Sequence, residues 1–386
     1  MIPYGRQDIN DDDILAVMDV LRSDFLTQGP AVPAFEKCVT DYCNVNYAVA
    51  LNSATSALHI ACLALGVGKG DVVWTSPITF VASANCALYC GAHIDFVDID
   101  PHTYNMSVDC LSEKLQQAEI MGNLPKVVIP VHLSGQPCDM EKIRALSLKY
   151  KFKIIEDASH AIGAKYKNRP VGNCEFSDIT VFSFHPVKII TTGEGGMALT
   201  NNEVLAKHLR LLRSHGISND LLDMQTRPAN EIWNYQQVKL GFNYRMTDIQ
   251  AALGLSQMKR VDDFVRRRHV IAGIYDKKLN DLPLQLSEHL QEAYSAHHLY
   301  VVRIKQNKKN ITQRRLYDFM QASGVNVNLH YIPIYRQPYY EAMGFKEGYC
   351  PEAEQYYKET LSIPMYPTLC NEQQEKVIDC LNESFK

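Results

Sequence analysis

The chain has no CxxC pair among its eleven cysteines, no GxGxxG after its first apolar stretch, no long basic run and no unbroken apolar span of bilayer length. Each gap excludes something. Without paired thiols, a ribbon-type metal site or a dithiol redox centre has no spacing to rest on. Cys86 and Cys90 fall at helical spacing, where buried free thiols are commonplace, and the scatter points to a reducing compartment. Without GxGxxG, a nicotinamide dehydrogenase lacks its phosphate-binding turn. The most apolar window, residues 80–97, is broken by Ser83, Asn85, Gly91 and His93, and the opening MIPYGRQDINDDD has no charged-then-apolar leader. A cytoplasmic protein with no membrane partner is the expectation. The formal charge is only -4 and the basic residues at 266–269 stand alone, so nucleic acid has no electrostatic footprint to bind. Small soluble ligands fit better.

What the chain does have is length and apolar content. At 386 residues and 46% hydrophobic it can bury a sizeable core and suggests two domains, 1–255 and 256–386. Residues 1–10 show no period and read as an extended segment over the surface. A helix over 11–22 carries acids in its first turn, and a Gly-Pro loop leads to a second helix over 32–42. From residue 47 strands and helices alternate: strands at 47–51, 72–75, 94–97, 127–131 and 152–155, and helices at 54–65, 81–90, 110–117 and 140–150. Short apolar strands separated by helices predict parallel strands buried on both faces, an α/β sheet. Further strands are expected at 180–184 and 195–200, and a helix at 204–213. Residues 214–240 read as a long irregular excursion and 247–279 as helical. The second domain should carry strands at 298–304 and near 325–328, with helices at 313–322, 351–360 and from 371.

Ligands in such sheets sit beyond the carboxyl ends of the strands, so residues just after each strand are the candidates. The stretch TVFSFHPVKIITTGEGG at 180–196 is the most informative. His185 and Pro186 stop the strand, Lys188 follows among apolar neighbours, and the glycines at 193, 195 and 196 favour a tight loop. Desolvation there would favour the neutral amine that a Schiff base needs; a surface lysine beside a turn is the plainer alternative. Ala54 and Thr55 open a helix whose first N–H groups could face an anion, or could simply be capped. Phe80 follows the second strand, as a ring platform or a core residue. Asp157 ends an apolar strand, where a carboxylate must be partnered, either as a helix cap or against a protonated ring nitrogen. Ser183 adds a hydroxyl. Amine, acid, phosphate pocket and aromatic together match the needs of pyridoxal 5'-phosphate. His330 alone reads as structural.

The runs Asn52-Ser53-Ala54-Thr55-Ser56-Ala57-Leu58, Glu156-Asp157-Ala158-Ser159-His160-Ala161, Phe182-Ser183-Phe184-His185-Pro186-Val187-Lys188, Glu194-Gly195-Gly196, Arg213-Ser214-His215-Gly216 and Asn243-Tyr244-Arg245 resemble those of the DegT/DnrJ/EryC1/StrS aminotransferases over essentially the whole chain. The resemblance implies a fold-type I enzyme, with a large domain built on a mostly parallel seven-stranded sheet plus a smaller C-terminal α/β domain. It implies that Lys188 holds the cofactor and shuttles the proton, that Asp157 binds the ring nitrogen, and that Ser183, Ala54 and Thr55 bind the phosphate. Phe80 would stack on the ring, His160 would stand where relatives carry a glutamine near the ring hydroxyl, and Asn243 would arrive from the partner of a homodimer with shared sites. Tyr4, Asp24, Phe25, Leu26, Thr27, His185, His330 and Tyr331 would line a sugar-nucleotide site, with Ile332 where close relatives have lysine. No metal is implied. The implied reaction moves an amine from L-glutamate to C4 of a UDP-4-keto-6-deoxy-N-acetylhexosamine, a step of pseudaminic acid biosynthesis. A GDP- or dTDP-sugar transaminase and a non-catalytic cofactor-binding regulator stay open; a dehydratase is disfavoured by Lys188.

Overall fold

The computed structural model describes residues 1–226, 234–306 and 310–386. Its central sheet contains β1 (Tyr47–Leu51), β2 (Val72–Thr75), β3 (His93–Phe96), β4 (Val127–Ile129), β5 (Lys153–Asp157), β6 (Ile179–Ser183) and β7 (Gly196–Thr200), in the order β1-β7-β6-β5-β4-β2-β3. The expected α/β class and seven strands are both present. Alternate residues of one strand enter opposite cores: Val49 and Leu51 pack on one face, Ala48 and Ala50 on the other. That is why these strands read as continuous apolar runs.

The sheet is mostly parallel, as the resemblance implies, and one strand runs against the others. β7 runs antiparallel to both β6 and β1, while the β2–β3, β2–β4, β4–β5 and β5–β6 pairs are parallel. The reason lies in the connection. A parallel return needs a crossover, usually a helix, but residues 184–195 fold back on themselves. Phe184 N–H donates to the Gly195 carbonyl at 2.9 Å, and Thr192 N–H donates to the Phe184 carbonyl at 3.0 Å. Lys188 therefore sits in the turn of an antiparallel connection. With β7 reversed between them, β1 and β6 run in the same sense, so the ends of β1, β5 and β6 meet at one edge.

A second, antiparallel sheet joins Leu284–Leu286, Tyr300–Ile304 and Thr360–Ile363. Helices Gln313–Ala322 and Asn371–Ser384 cover it through Leu316, Met320, Val377 and Leu381. Helix Val261–Leu279 serves both cores, giving Val261, Phe264 and Val265 to the first and Ile271, Tyr275 and Leu279 to the second.

One expectation needs correction here. No strand forms at 325–328. Val325 makes a lone bridge to Ile2 and Asn328 one to Ser362, so the backbone divides its bonds between two neighbours and builds no ladder. The N-terminal segment runs over the surface as expected, with Met1 and Ile9 exposed, and is pinned there by Ile2, buried in the second core, and by Met365 N–H donating to the Tyr4 carbonyl at 2.9 Å. In the excursion at 214–240, Ile217–Ser218 pairs with Gln236–Gln237, and residues 227–233 lie outside the described residues. No helix among the described residues is long and apolar enough to cross a membrane.

Candidate active site

A cavity of about 650 Å³ opens at the edge where β1, β5 and β6 end. Of the residues singled out from the sequence, it brings together Tyr4, Ala54, Thr55, Phe80, Asp157, His160, Ser183, His185, Lys188, His330 and Tyr331. It does not bring in Asp24, Phe25, Leu26, Thr27 or Asn243. Phe25 and Leu26 are about half exposed, and Thr27 bridges Thr247. Asn243 is exposed and tied by its backbone to Ser214. None of these five lines the cavity of its own chain.

Lys188 is held by its backbone, whose N–H donates to the His185 carbonyl at 2.9 Å. Its side chain lines the cavity, and its amine has no hydrogen bond or ion pair among the described residues. Desolvation pulls its pKa down to about 8, against the opposing attraction of Asp157. The loop geometry demands its glycines. Gly193 adopts a φ of 80°, and a Cβ at Gly195 would meet Thr192 Oγ1 at 2.1 Å.

Asp157 is the last residue of β5, 4% exposed, and its carboxylate collects three donors. Ser83 Oγ donates to Oδ2 at 2.6 Å, while the Ser159 hydroxyl and backbone N–H donate to Oδ1 at 2.6 and 3.1 Å. Thr79 and Ser83 hydroxyls lie 2.9 Å apart, and because the Ser83 proton goes to Asp157, Thr79 is the donor between them. A carboxylate has about four lone-pair directions, so one remains for a ring N–H. Sequence reasoning missed both serines as functional. Ser83 offered only an interruption of an apolar window, and its role depends on the helix Ala82–Tyr89 docking over β2 and β3 so that its first turn reaches Asp157.

Helix Ala54–Ala64 begins at the same edge. Ser53 caps it, its hydroxyl accepting from Ser56 N–H at 3.1 Å, and Ser56 Oγ donates to Asn52 Oδ1 at 2.7 Å. The N–H groups of Ala54 and Thr55 have no acceptor among the described residues, which suits an anion. Ser183 Oγ accepts weakly from His185 N–H at 3.5 Å, leaving its own proton to give. Phe80 is 59% exposed at the cavity wall.

Two histidines face Lys188 from other elements. His160 is buried, and Ser134 N–H donates to its Nδ1 at 3.3 Å, so the ring proton sits on Nε2, 3.4 Å from the Tyr331 hydroxyl. Burial, then Lys188 and His330, hold its pKa well below the ordinary value. His330 is likewise pushed down to about 3, by burial and then by Lys188, and its Nδ1 lies 2.8 Å from Ser362 Oγ. Tyr331 is pushed up by burial and by Asp157, and stays a phenol. His298, which the sequence offered only as part of a strand, also lines the cavity.

Amine, buried acceptor carboxylate, open helix N-terminus and exposed aromatic thus fit pyridoxal phosphate from four independent sides. Among the described residues no cluster of His, Cys, Asp and Glu could hold a metal ion.

Comparison with known proteins agrees. The family model "DegT/DnrJ/EryC1/StrS aminotransferase family" matches residues 7–382. Spore coat polysaccharide biosynthesis protein SpsC of Bacillus subtilis is 37% identical over 388 residues, covering 100% of this chain and 97% of the relative. A UDP-4-amino-4,6-dideoxy-N-acetyl-beta-L-altrosamine transaminase of Campylobacter jejuni is 35% identical over 382 residues, covering 95% and 93%. Among solved structures, Helicobacter pylori PseC, an aminotransferase involved in the biosynthesis of pseudoaminic acid, superposes with a TM-score of 0.90 at 29% identity, covering 100% of this chain and 99% of that one. A Streptococcus pneumoniae protein in its PLP-form gives 0.87 at 29% identity, covering 99% and 98%. With the family match spanning nearly its whole length and the site built for the cofactor, the chain belongs to the DegT/DnrJ/EryC1/StrS aminotransferase family and uses pyridoxal phosphate.

Proposed function

We propose that the protein moves the amino group of L-glutamate to C4 of a UDP-linked 4-keto-6-deoxy-N-acetylhexosamine, as a step of pseudaminic acid biosynthesis. The observation that carries this reading is the unpaired amine of Lys188 in one cavity with the three-donor carboxylate of Asp157. When bound, the cofactor supplies the carbonyl that exchanges for an amine and a protonated ring that accepts electrons. Lys188 carries the proton on and off the substrate carbon, a task suited to an amine whose pKa lies near 8. Asp157 keeps the ring nitrogen protonated. The Ser183 hydroxyl and the Ala54 and Thr55 N–H groups would hold the phosphate, Phe80 would cover the ring face, and His160 would donate its Nε2–H to the ring oxygen.

The remaining walls, with Tyr4, His185, His330, Tyr331 and Ile332, suit a sugar. Among the described residues lining the cavity there is no arginine, and Lys188 is the one lysine. The charge of a nucleotide diphosphate must then be met from beyond this chain's cavity. A homodimer would set Asn243 of a second copy at the mouth, where its neutral amide can donate to the cofactor phosphate. The names of the Campylobacter and Helicobacter relatives support the UDP-sugar and the pathway.

The test is visible absorbance of the cofactor-loaded protein. The yellow colour should bleach with glutamate and return with the UDP-4-keto sugar. Recovery only with a GDP- or dTDP-linked keto sugar moves the substrate to that nucleotide. A yellow protein that ignores glutamate overturns the transaminase with this donor and favours a binding role.

A further inference from the structure

His160 is fixed only loosely by its own hydrogen bonds. The donor to its Nδ1 is 3.3 Å away and the hydroxyl facing its Nε2 is 3.4 Å away, both at the long end for such contacts. Its close neighbour is another imidazole. The His298 ring centroid lies 4.3 Å from that of His160, with the planes tilted by 44°.

His298 itself is clamped. It is 4% exposed, its N–H donates to the Ser134 carbonyl at 2.8 Å, and its carbonyl accepts from Arg268 Nη1 at 3.1 Å. Arg268 is buried and also reaches the carbonyls of His297 and Met365, at 3.1 and 3.0 Å, so it ties the segment to the second sheet's surroundings. Ser134 uses its two backbone groups on the two histidines, its N–H on His160 and its carbonyl on His298. One peptide therefore registers both rings. The Nδ1 of His298 is buried without a hydrogen-bond partner. What this side chain delivers to its neighbour is a flat face.

We propose, resting on the reading above, that His298 is a positioning residue: its ring face holds His160 with Nε2–H turned into the cavity, where it donates to the ring oxygen of bound pyridoxal phosphate. The charged and titratable groups facing the pair come from several elements. They are Lys188 from the β6–β7 connection, His330 and Tyr331 from the 329–335 segment, and Arg268 from the long helix. Burial first, then the cationic neighbours, keep both imidazoles neutral, so the N–H is given without adding charge.

The test is a pH titration of the bound chromophore, without substrates, in the holoenzyme. A donor to the ring oxygen draws negative charge away from the imine proton. Losing the donor holds that proton more tightly and raises the midpoint, by about one pH unit for one hydrogen bond. His298→Ala should show this rise. His298→Phe, which keeps a flat face and costs no hydrogen bond at Nδ1, should return the midpoint to that of the unaltered protein. In a His160→Ala background, His298→Ala should add no further shift. A His298→Ala midpoint equal to that of the unaltered protein, or the same added shift when His160 is absent, overturns the proposal. An unaltered protein that forms no chromophore at all overturns the cofactor reading itself, a result distinct from these.

Discussion

Gly196 lies so close to the peptide joining Ser53 to Ala54 that a Cβ on it would sit 2.4 Å from the Ala54 nitrogen. The contact places the first residue of β7 against the open end of helix Ala54–Ala64, and so sets that end beside the loop that carries Lys188. Backbone cannot yield as a flexible side chain can. Gly196→Ala should therefore push the helix end away and weaken cofactor retention, with equilibrium dialysis reading a loss of roughly tenfold or more, about 1.4 kcal/mol or above. Retention equal to that of the unaltered protein would dissociate the contact from phosphate binding.

Lys188 carries a stability signature as well as a catalytic one. Its folded pKa of about 8 lies below the unfolded value near 10.5, so the folded chain binds fewer protons between those limits. Below pH 8 the buried charge destabilises the cofactor-free protein in full; as pH rises from 8 to 10.5 that cost disappears. Lys188→Met should melt higher than the unaltered protein at pH 7, and the gap should close over that window. Thermal melts at several pH values check it. Lys188→Ala should fold and show no turnover.

Ser83 and Ser159 spend their hydroxyls on Asp157, each at 2.6 Å. Hydrogen bonds to a charged group contribute about 1.5–3 kcal/mol. Removing either hydroxyl should lower kcat for the glutamate half-reaction roughly 10- to 100-fold, with the chromophore still formed. Stopped-flow bleaching rates measure it, and an unchanged rate in both variants would mean that Asp157 needs neither.

Behind Asp157, on the opposite face of β5, Glu156 is buried against His132 Nε2 at 2.8 Å and accepts from Thr180 Oγ1 at 3.0 Å and from Ser177 Oγ. Cys138 N–H donates to His132 Nδ1 at 3.1 Å, so the ring proton points at Glu156. His132 also donates its backbone N–H to the Asp157 carbonyl at 3.0 Å. Removing one partner strands the other: Glu156→Ala should cost about 3–5 kcal/mol of unfolding free energy in urea, while Lys188 still reacts with the cofactor in the folded fraction.

The alternation of strands and helices from residue 47 to 157 was legible because most of these strands are buried on both faces and read as apolar runs, β3 with its His93 and Asp95 being the exception. The same feature hid the direction of β7, since apolar runs look alike whichever way they point, and the turn at 184–195 decides it. Thr360–Ile363 was missed because it follows helix Pro351–Glu359 without a breaker, and the docking of Ile2 because one buried residue has no period. In the site, residues at strand ends announced themselves: Asp157, Ser183 and Lys188. Ser83, Ser134 and His298 did not, because their partners are distant in the chain and their roles exist only once helix Ala82–Tyr89 and the 296–299 segment have docked.

The central claim is that Lys188 is the amine that holds the cofactor. Borohydride reduction of the cofactor-loaded protein, followed by digestion and mass spectrometry, tests it directly. The account predicts a phosphopyridoxyl adduct on the peptide containing Lys188. An adduct on another lysine, with the Lys188 peptide unmodified, would contradict it.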